Sequence, residues 1–182
     1  IPDRIEAATY IVLAAAAADE MTVENIIPAH LESLLSKLQE IGIDIKVDVD
    51  KVTIRRGDQP LKCTDIKTLP YPGFATDIQQ PLTALLTQAH GQSVITETIY
   101  TERFKHCQEL NKMGADIDVR IPSSFINGPS RLSGSVVEAT DLRCGACLVI
   151  AGLIADGVTE IHAVYHIDRG YENLDGKLEA LG

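Results

Sequence analysis

The sequence predicts an α/β fold in which three related units pack around one shared centre. Two observations carry this: a segment pattern that recurs, and a change of hydrophobic period within each recurrence. Asp3 to Gly42 (DRIEAATYIVLAAAAADE…LLSKLQEIG), Asp77 to Gly114 (DIQQPLTALLTQAHGQ…CQELNKMG) and Asp141 to Gly182 (DLRCGACLVIAGLIADG…LDGKLEALG) each open on an aspartate and close on a glycine. Matched beginnings and ends at such intervals mark internal repetition.

Each unit opens with an aspartate suited to capping a helix, and Asp3-x-x-Glu6 and Asp77-x-x-Gln80 have the spacing of capping boxes. A mostly apolar helix follows and ends in a polar turn such as His90-Gly91 or Asp156-Gly157. The β-branched stretches Val94-Ile95-Thr96 and Val158 to Ile161 then read as strands. A second, amphipathic helix comes next, with apolar residues at helical spacing: Leu31, Leu34, Leu35, Leu38 and Ile41 in the first unit, Leu174, Leu178 and Leu181 in the third. Gly42, Gly114 and Gly182 stand where a helix C-terminus wants a glycine. After Gly42 the period changes to two, in Ile43 to Val49 and Val52 to Ile54, and Ile117 to Ile121 repeats the change after Gly114.

Such units cannot bury their helices alone, so the sheets are expected outside or beside a common helical centre. A chain of 182 residues is too short for two independent cores, and the reading is one domain with repeats at roughly 1–68, 69–132 and 133–182. Ile1 is not an initiator Met, and the third unit stops before its paired strands; both suggest one half of a longer, two-domain protein.

Hydrophobic residues make up 45% and charged residues 23%, an ordinary globular composition. A formal net charge of -10 argues against a nucleic-acid surface, which needs concentrated Lys and Arg. Any anionic ligand must be captured locally. The apolar run Tyr10 to Ala18 falls short of the roughly 20 residues that span a bilayer, so no membrane segment is expected. Four cysteines at irregular spacing, with no secretory signal, suggest reduced thiols and a cytoplasmic location.

Several residues carry possible chemistry. Arg143 lies two residues into the helix opened by Asp141, where free N–H groups and the macrodipole already favour an anion. Arg103 and Arg169 each follow an acidic residue at the start of a unit's second helix; the bland reading of any of these arginines is an exposed side chain paired with a neighbouring acid. For Asp77 the bland reading is capping, which would explain all three repeated aspartates at once. Cys144-Gly145-Ala146-Cys147 has redox spacing but sits in an apolar helix, so small buried side chains are the better reading. No second pair with ligand spacing accompanies it and the five histidines are scattered, so no metal site is expected.

PDRIEAATY (Pro2 to Tyr10), ATDIQ (Ala75 to Gln79), ITETIYTERF (Ile95 to Phe104), ELNKMGA (Glu109 to Ala115), LSG (Leu132 to Gly134), ATDLR (Ala139 to Arg143) and YHIDRGYE (Tyr165 to Glu172) together resemble the C-terminal domain of the UDP-N-acetylglucosamine 1-carboxyvinyltransferases, an enolpyruvyl transferase family. The resemblance runs in order through essentially the whole chain. It implies an inverse α/β barrel of βαβαββ repeats with the third truncated, and transfer of enolpyruvate from phosphoenolpyruvate to the 3-hydroxyl of UDP-N-acetylglucosamine in peptidoglycan synthesis, with no cofactor. It implies that Asp77 is the base, that Arg103 and Arg143 line the phosphoenolpyruvate carboxylate side, and that Arg169 meets the phosphate when two domains close. Ile99, through its backbone, and Tyr100, through its ring, would touch the UDP-sugar, and Asp141 belongs to the same substrate-binding set. Core packing is the competing reading for Ile99. The family's proton-donating cysteine, and further cations, lie on the other domain, so the present chain alone is expected to be inactive. A shikimate-type enolpyruvyl transferase domain and a non-catalytic scaffold paralogue are the alternatives.

Overall fold

The computed structural model describes residues 1–182. In chain order it contains α1 (Arg4–Ala17), β1 (Glu20–Glu24), a 3-10 turn (Pro28–Leu31), α2 (Glu32–Ile41), β2 (Asp44–Val47), β3 (Lys51–Arg55), β4 (Asp65–Lys67), α3 (Thr76–Leu86), β5 (Gly91–Thr96), α4 (Lys105–Lys112), β6 (Asp116–Arg120), β7 (Ser123–Gly128), β8 (Val136–Glu138), α5 (Leu142–Ile154), β9 (Glu160–His162), α6 (Tyr165–Asp168) and α7 (Leu174–Leu181).

The opening helix of each unit has little or no polar face, and the fold follows from that. Every residue from Ala7 to Ala16 of α1 is buried, as is every residue from Ile78 to Leu86 of α3; α5 is buried from Cys144 to Leu148 and again at Ile150 and Ala151. A helix apolar all round must be enclosed, and α1, α3 and α5 pack against one another. The hydroxyls that enter this centre return to the backbone: Thr9 Oγ1 donates to the Ile5 carbonyl at 3.0 Å and Thr83 Oγ1 to the Gln79 carbonyl at 2.8 Å. Those bonds remove the cost of burying an unpaired polar group.

Three sheets supply the enclosure, in strand orders β1-β3-β2, β4-β5-β7-β6 and β8-β9. Each strand presents one apolar face inward, as period-two alternation requires: Val52 and Ile54 of β3, Ile66 of β4, Ile95 of β5, Ile126 of β7 and Val137 of β8 all join the main core cluster. β4 runs parallel to β5 and β8 parallel to β9, whereas β7 is antiparallel to both β5 and β6. Gly42 and Gly114 take left-handed conformations, φ +108 and +98, which release the chain from α2 and α4 into the next strands.

The fold differs from expectation in particulars. β4 and β8 were not legible, because three residues cannot show alternation. Val158 is exposed and outside a strand; β9 begins at Glu160. The third unit's second helix is split into α6 and α7, and of its expected apolar stripe Leu174 is buried, Leu178 half-buried and Leu181 exposed. α6 lies so close to α5 that a Cβ on Gly145 would come within 2.4 Å of Ile167 Cγ1. A side chain at Gly145 would push α6, and the segment after it, off the centre.

Leu82 of α3 is fully buried and Leu153 of α5 is 47% exposed. Leu82→Ala should lower unfolding free energy by about 2–5 kcal/mol in denaturant titrations, whereas Leu153→Ala should stay within about 0.5 kcal/mol. Equal effects would contradict a centre built on α3.

Candidate functional site

The N-termini of α3 and α5 and the segment from Ile99 to Arg103 border one open cleft of about 720 Å³, whose walls include Asp77, Ile99, Tyr100, Arg103, Lys105 and Asp141. The start of α1 does not take part. Asp3 caps its own helix, accepting from the amides of Ile5 at 2.7 Å and Glu6 at 3.3 Å. Asp141 does the same for α5, accepting from the amides of Arg143 at 2.8 Å and Cys144 at 3.0 Å.

Asp77 breaks this pattern. Relative to its aspartate, α3 starts two residues earlier than α1 and α5 do, at Thr76, with Ala75 as N-cap and no side-chain cap, so the expected capping box is absent and Gln80 is buried instead. The freed Asp77 carboxylate turns outward and accepts from Arg103 Nη1 at 2.7 Å. Arg143 Nε stands 3.8 Å from the same Oδ1. The carboxylate side chain is 38% exposed, whereas the guanidinium-bearing side chains of Arg103 and Arg143 are 20% and 14% exposed. Two half-desolvated cations therefore flank one accessible carboxylate. Bidentate guanidinium groups so placed can grip a ligand carboxylate or phosphate.

Both arginines are held. Arg103 Nη1 also reaches Thr76 Oγ1 at 3.2 Å, its carbonyl accepts from Gln79 Nε2 at 2.8 Å, and its guanidinium lies 5.4 Å from the Tyr100 ring centroid. Arg143 Nη1 donates to the Tyr171 hydroxyl at 3.0 Å, and that hydroxyl bonds to Thr9 Oγ1 at 2.8 Å. Residues of all three units are thus linked through one polar chain. Pairing with a neighbouring acid does not describe Arg103, which bonds Asp77 and leaves Glu102 alone.

Arg169 is not brought into this group. It is exposed, ends α6 rather than starting a long second helix, and makes no ion pair. Ile99 and Tyr100 are exposed at 41% and 62%, so core packing does not describe Ile99. The amides of both are already donated to Glu97 Oε1, at 2.8 and 3.0 Å.

Glu97, Thr76 and Tyr171 were missed as site residues. Glu97 continues the buried face of β5 that Ser93 and Ile95 define, and its carboxylate is fully buried among hydroxyls and amides. An acidic residue in register with a strand's core face was the available signal.

The cysteines of the C-x-x-C are packed and unreactive in character. Burial raises the thiols of Cys144 and Cys147 and pushes that of neighbouring Cys107 up to about 12, the opposite of what disulfide exchange requires. No group of three or more His, Cys, Asp or Glu side chains could hold a metal ion, and no helix is long and apolar enough to cross a membrane.

Residues 1–178 match the family model described as EPSP synthase (3-phosphoshikimate 1-carboxyvinyltransferase). Over 182 residues the chain is 57% identical to proteins of Bacillus anthracis and Bacillus subtilis (strain 168) named UDP-N-acetylglucosamine 1-carboxyvinyltransferase 2, spanning 42% of each. A protein of the same name from Listeria monocytogenes serovar 1/2a is 55% identical and is spanned to 43%. The chain thus covers less than half the length of these relatives. Among solved structures, the enolpyruvyl transferase NikO from Streptomyces tendae superposes with a TM-score of 0.92 at 28% identity, over 100% of this chain and 43% of that one. EPSP synthase from Acinetobacter baumannii shares the fold, with a TM-score of 0.68 at 19% identity over 93% of this chain and 42% of that one.

Behind the cleft, His106 is fully buried and hydrogen-bonds Thr83 Oγ1 at 3.2 Å. Burial lowers its pKa to about 3, with Arg103 adding to the shift and Asp141 opposing it. The folded protein therefore binds fewer protons than the unfolded chain below pH ~6.5, and stability should fall as pH drops from there towards 3, by up to ~1.4 kcal/mol per unit from this group. His106→Gln should flatten the pH dependence of the denaturation midpoint between pH ~6.5 and 4. An unchanged slope would contradict a neutral buried imidazole.

Proposed function

Since the chain belongs to the EPSP synthase (3-phosphoshikimate 1-carboxyvinyltransferase) family, we propose that it is one domain of a two-domain enolpyruvyl transferase that moves enolpyruvate from phosphoenolpyruvate to the 3-hydroxyl of UDP-N-acetylglucosamine, in peptidoglycan synthesis. The choice of sugar rests on relatives so named at 55–57% identity across the whole chain, against 19% for the EPSP synthase structure. The domain would be an inverse α/β barrel of three βαβαββ units near 1–68, 69–132 and 133–182. That reading is supported by the central helices and by the order β4-α3-β5-α4-β6-β7 of the middle unit.

One observation carries the site: of three repeated aspartates, only Asp77 gives up capping and stands beside two arginines in the cleft. In the proposed reaction the sugar oxygen bonds to C2 of the enolpyruvyl group as its proton passes to Asp77. A proton donor on the other domain protonates the vinyl carbon C3; C3 then returns a proton to that deprotonated group as phosphate leaves C2 and the double bond re-forms. Arg103 and Arg143 would hold the phosphoenolpyruvate carboxylate. A ligand carboxylate that drew Arg103 away would release Asp77 Oδ1 from its 2.7 Å bond at the moment a base is needed. Asp141 lines the same cleft, Tyr100 offers a ring to the sugar, and the Ile99 carbonyl is its free backbone group because the amide is engaged by Glu97. Arg169, exposed and unpaired, would meet the phosphate on closure against the other domain.

In the full-length protein Asp77→Asn should keep binding of UDP-N-acetylglucosamine within a few fold while lowering kcat by about 10²–10⁴-fold. Near-normal turnover would remove Asp77 as the base. Turnover with shikimate 3-phosphate, and none with the UDP-sugar, would assign the chain to the shikimate-type activity.

A further inference from the structure

We propose that Glu97 is a positioning residue for Arg103: by accepting the Thr76 hydroxyl proton it turns Thr76 into an acceptor for the Arg103 guanidinium, and by holding two amides it sets the arch from which Arg103 projects. The inference rests on the proposed function for its kinetic consequence, but its geometry stands apart from it.

Glu97 is completely buried and its carboxylate meets no cation. Oε1 accepts from Thr68 Oγ1 at 2.6 Å, from the Ile99 amide at 2.8 Å and from the Tyr100 amide at 3.0 Å; Oε2 accepts from Thr76 Oγ1 at 2.8 Å. A buried anion carries a large desolvation cost, and four neutral donors offset it without being needed to fill a gap in the fold. Glutamine has the same size and would avoid most of that cost. What glutamine cannot do is accept at both ends.

That difference decides the direction of the Thr76 hydroxyl. A carboxylate offers no hydrogen, so the Thr76 proton must point at Oε2, and the lone pairs of Oγ1 are left for Arg103 Nη1 at 3.2 Å. A glutamine placing Nε2 there would turn the Thr76 proton towards a guanidinium that can only donate. The main chain is secured as well: Glu97 fixes Ile99 and Tyr100, the Arg103 amide donates to the Tyr100 carbonyl at 2.9 Å, and Gln79 Nε2 holds the Arg103 carbonyl.

The device belongs to the middle unit alone. The residues following the corresponding strands β1 and β9 are Asn25 and Ala163, both in the left-handed region at φ 58 and 57. There the backbone itself makes the turn. In the unit that carries Asp77 and Arg103, a buried carboxylate makes it instead.

The test is a double-mutant cycle in the full-length protein, with an NMR measurement that needs no turnover. Glu97→Gln and Thr76→Val should each raise KM for phosphoenolpyruvate about tenfold, with KM for UDP-N-acetylglucosamine changing less than about twofold; Thr76→Ser should restore both. In an Arg103→Ala background Glu97→Gln should change kcat/KM by less than about twofold, because its effect passes through the missing guanidinium. The Arg103 guanidinium N–H resonances, resolved in the parent and in Thr76→Ser, should average in Glu97→Gln and Thr76→Val. Effects that multiply in the Arg103→Ala background, or Arg103 resonances indifferent to Glu97→Gln, would overturn the inference. A full-length parent without enolpyruvyl transfer would overturn the proposed function instead, and the NMR result would then decide the role of Glu97 by itself.

Discussion

The hydrogen bond between Asp77 and Arg103 is the contact on which the rest of the site depends. It is made between elements of one unit, the start of α3 and the arch before α4, and it exists because Asp77 lies two residues past the N-cap position of its helix and cannot cap it. An ion pair this exposed contributes little to stability, on the order of 1 kcal/mol or less. Its meaning is positional: an accessible carboxylate is kept beside two cations that a substrate can claim.

Comparison of the three opening helices α1, α3 and α5 makes that departure readable. Three opening helices share a centre so tightly that each must be apolar on nearly every side, which leaves their first turns as the places where polar residues can differ. α1 and α5 use the first turn for conventional caps. α3 does not, and the same unit replaces a left-handed turn after its strand with the buried carboxylate of Glu97. The segment around α3 that departs from its two counterparts twice is the one carrying the proposed chemistry.

Much of this was legible in residues alone. The change from helical to alternating period placed α2, β2, β3 and β6 within a residue or two, and the terminal glycines marked where α2 and α4 end. Capping was correctly read at Asp3 and Asp141 and wrongly at Asp77, since two residues of helix phase separate a cap from a free carboxylate and composition does not encode that phase. β4 and β8 escaped because they are defined by partners distant in sequence, not by pattern. The grouping of Asp77, Arg103 and Arg143 came from resemblance, and periodicity could not have supplied it. Arg169 stayed outside the group, exposed on the segment after α6. Glu97 was hidden by its neighbours: a charged residue among threonines reads as surface until the strand register turns it inward.

The most direct measurement is a crystal structure of the full-length protein with UDP-N-acetylglucosamine and an unreactive phosphoenolpyruvate analogue. The account predicts the Asp77 carboxylate within hydrogen-bond distance of the sugar 3-hydroxyl, with Arg103 moved from Asp77 onto the analogue's carboxylate. Ligands bound elsewhere, with the Asp77–Arg103 bond intact at its present 2.7 Å, would contradict it.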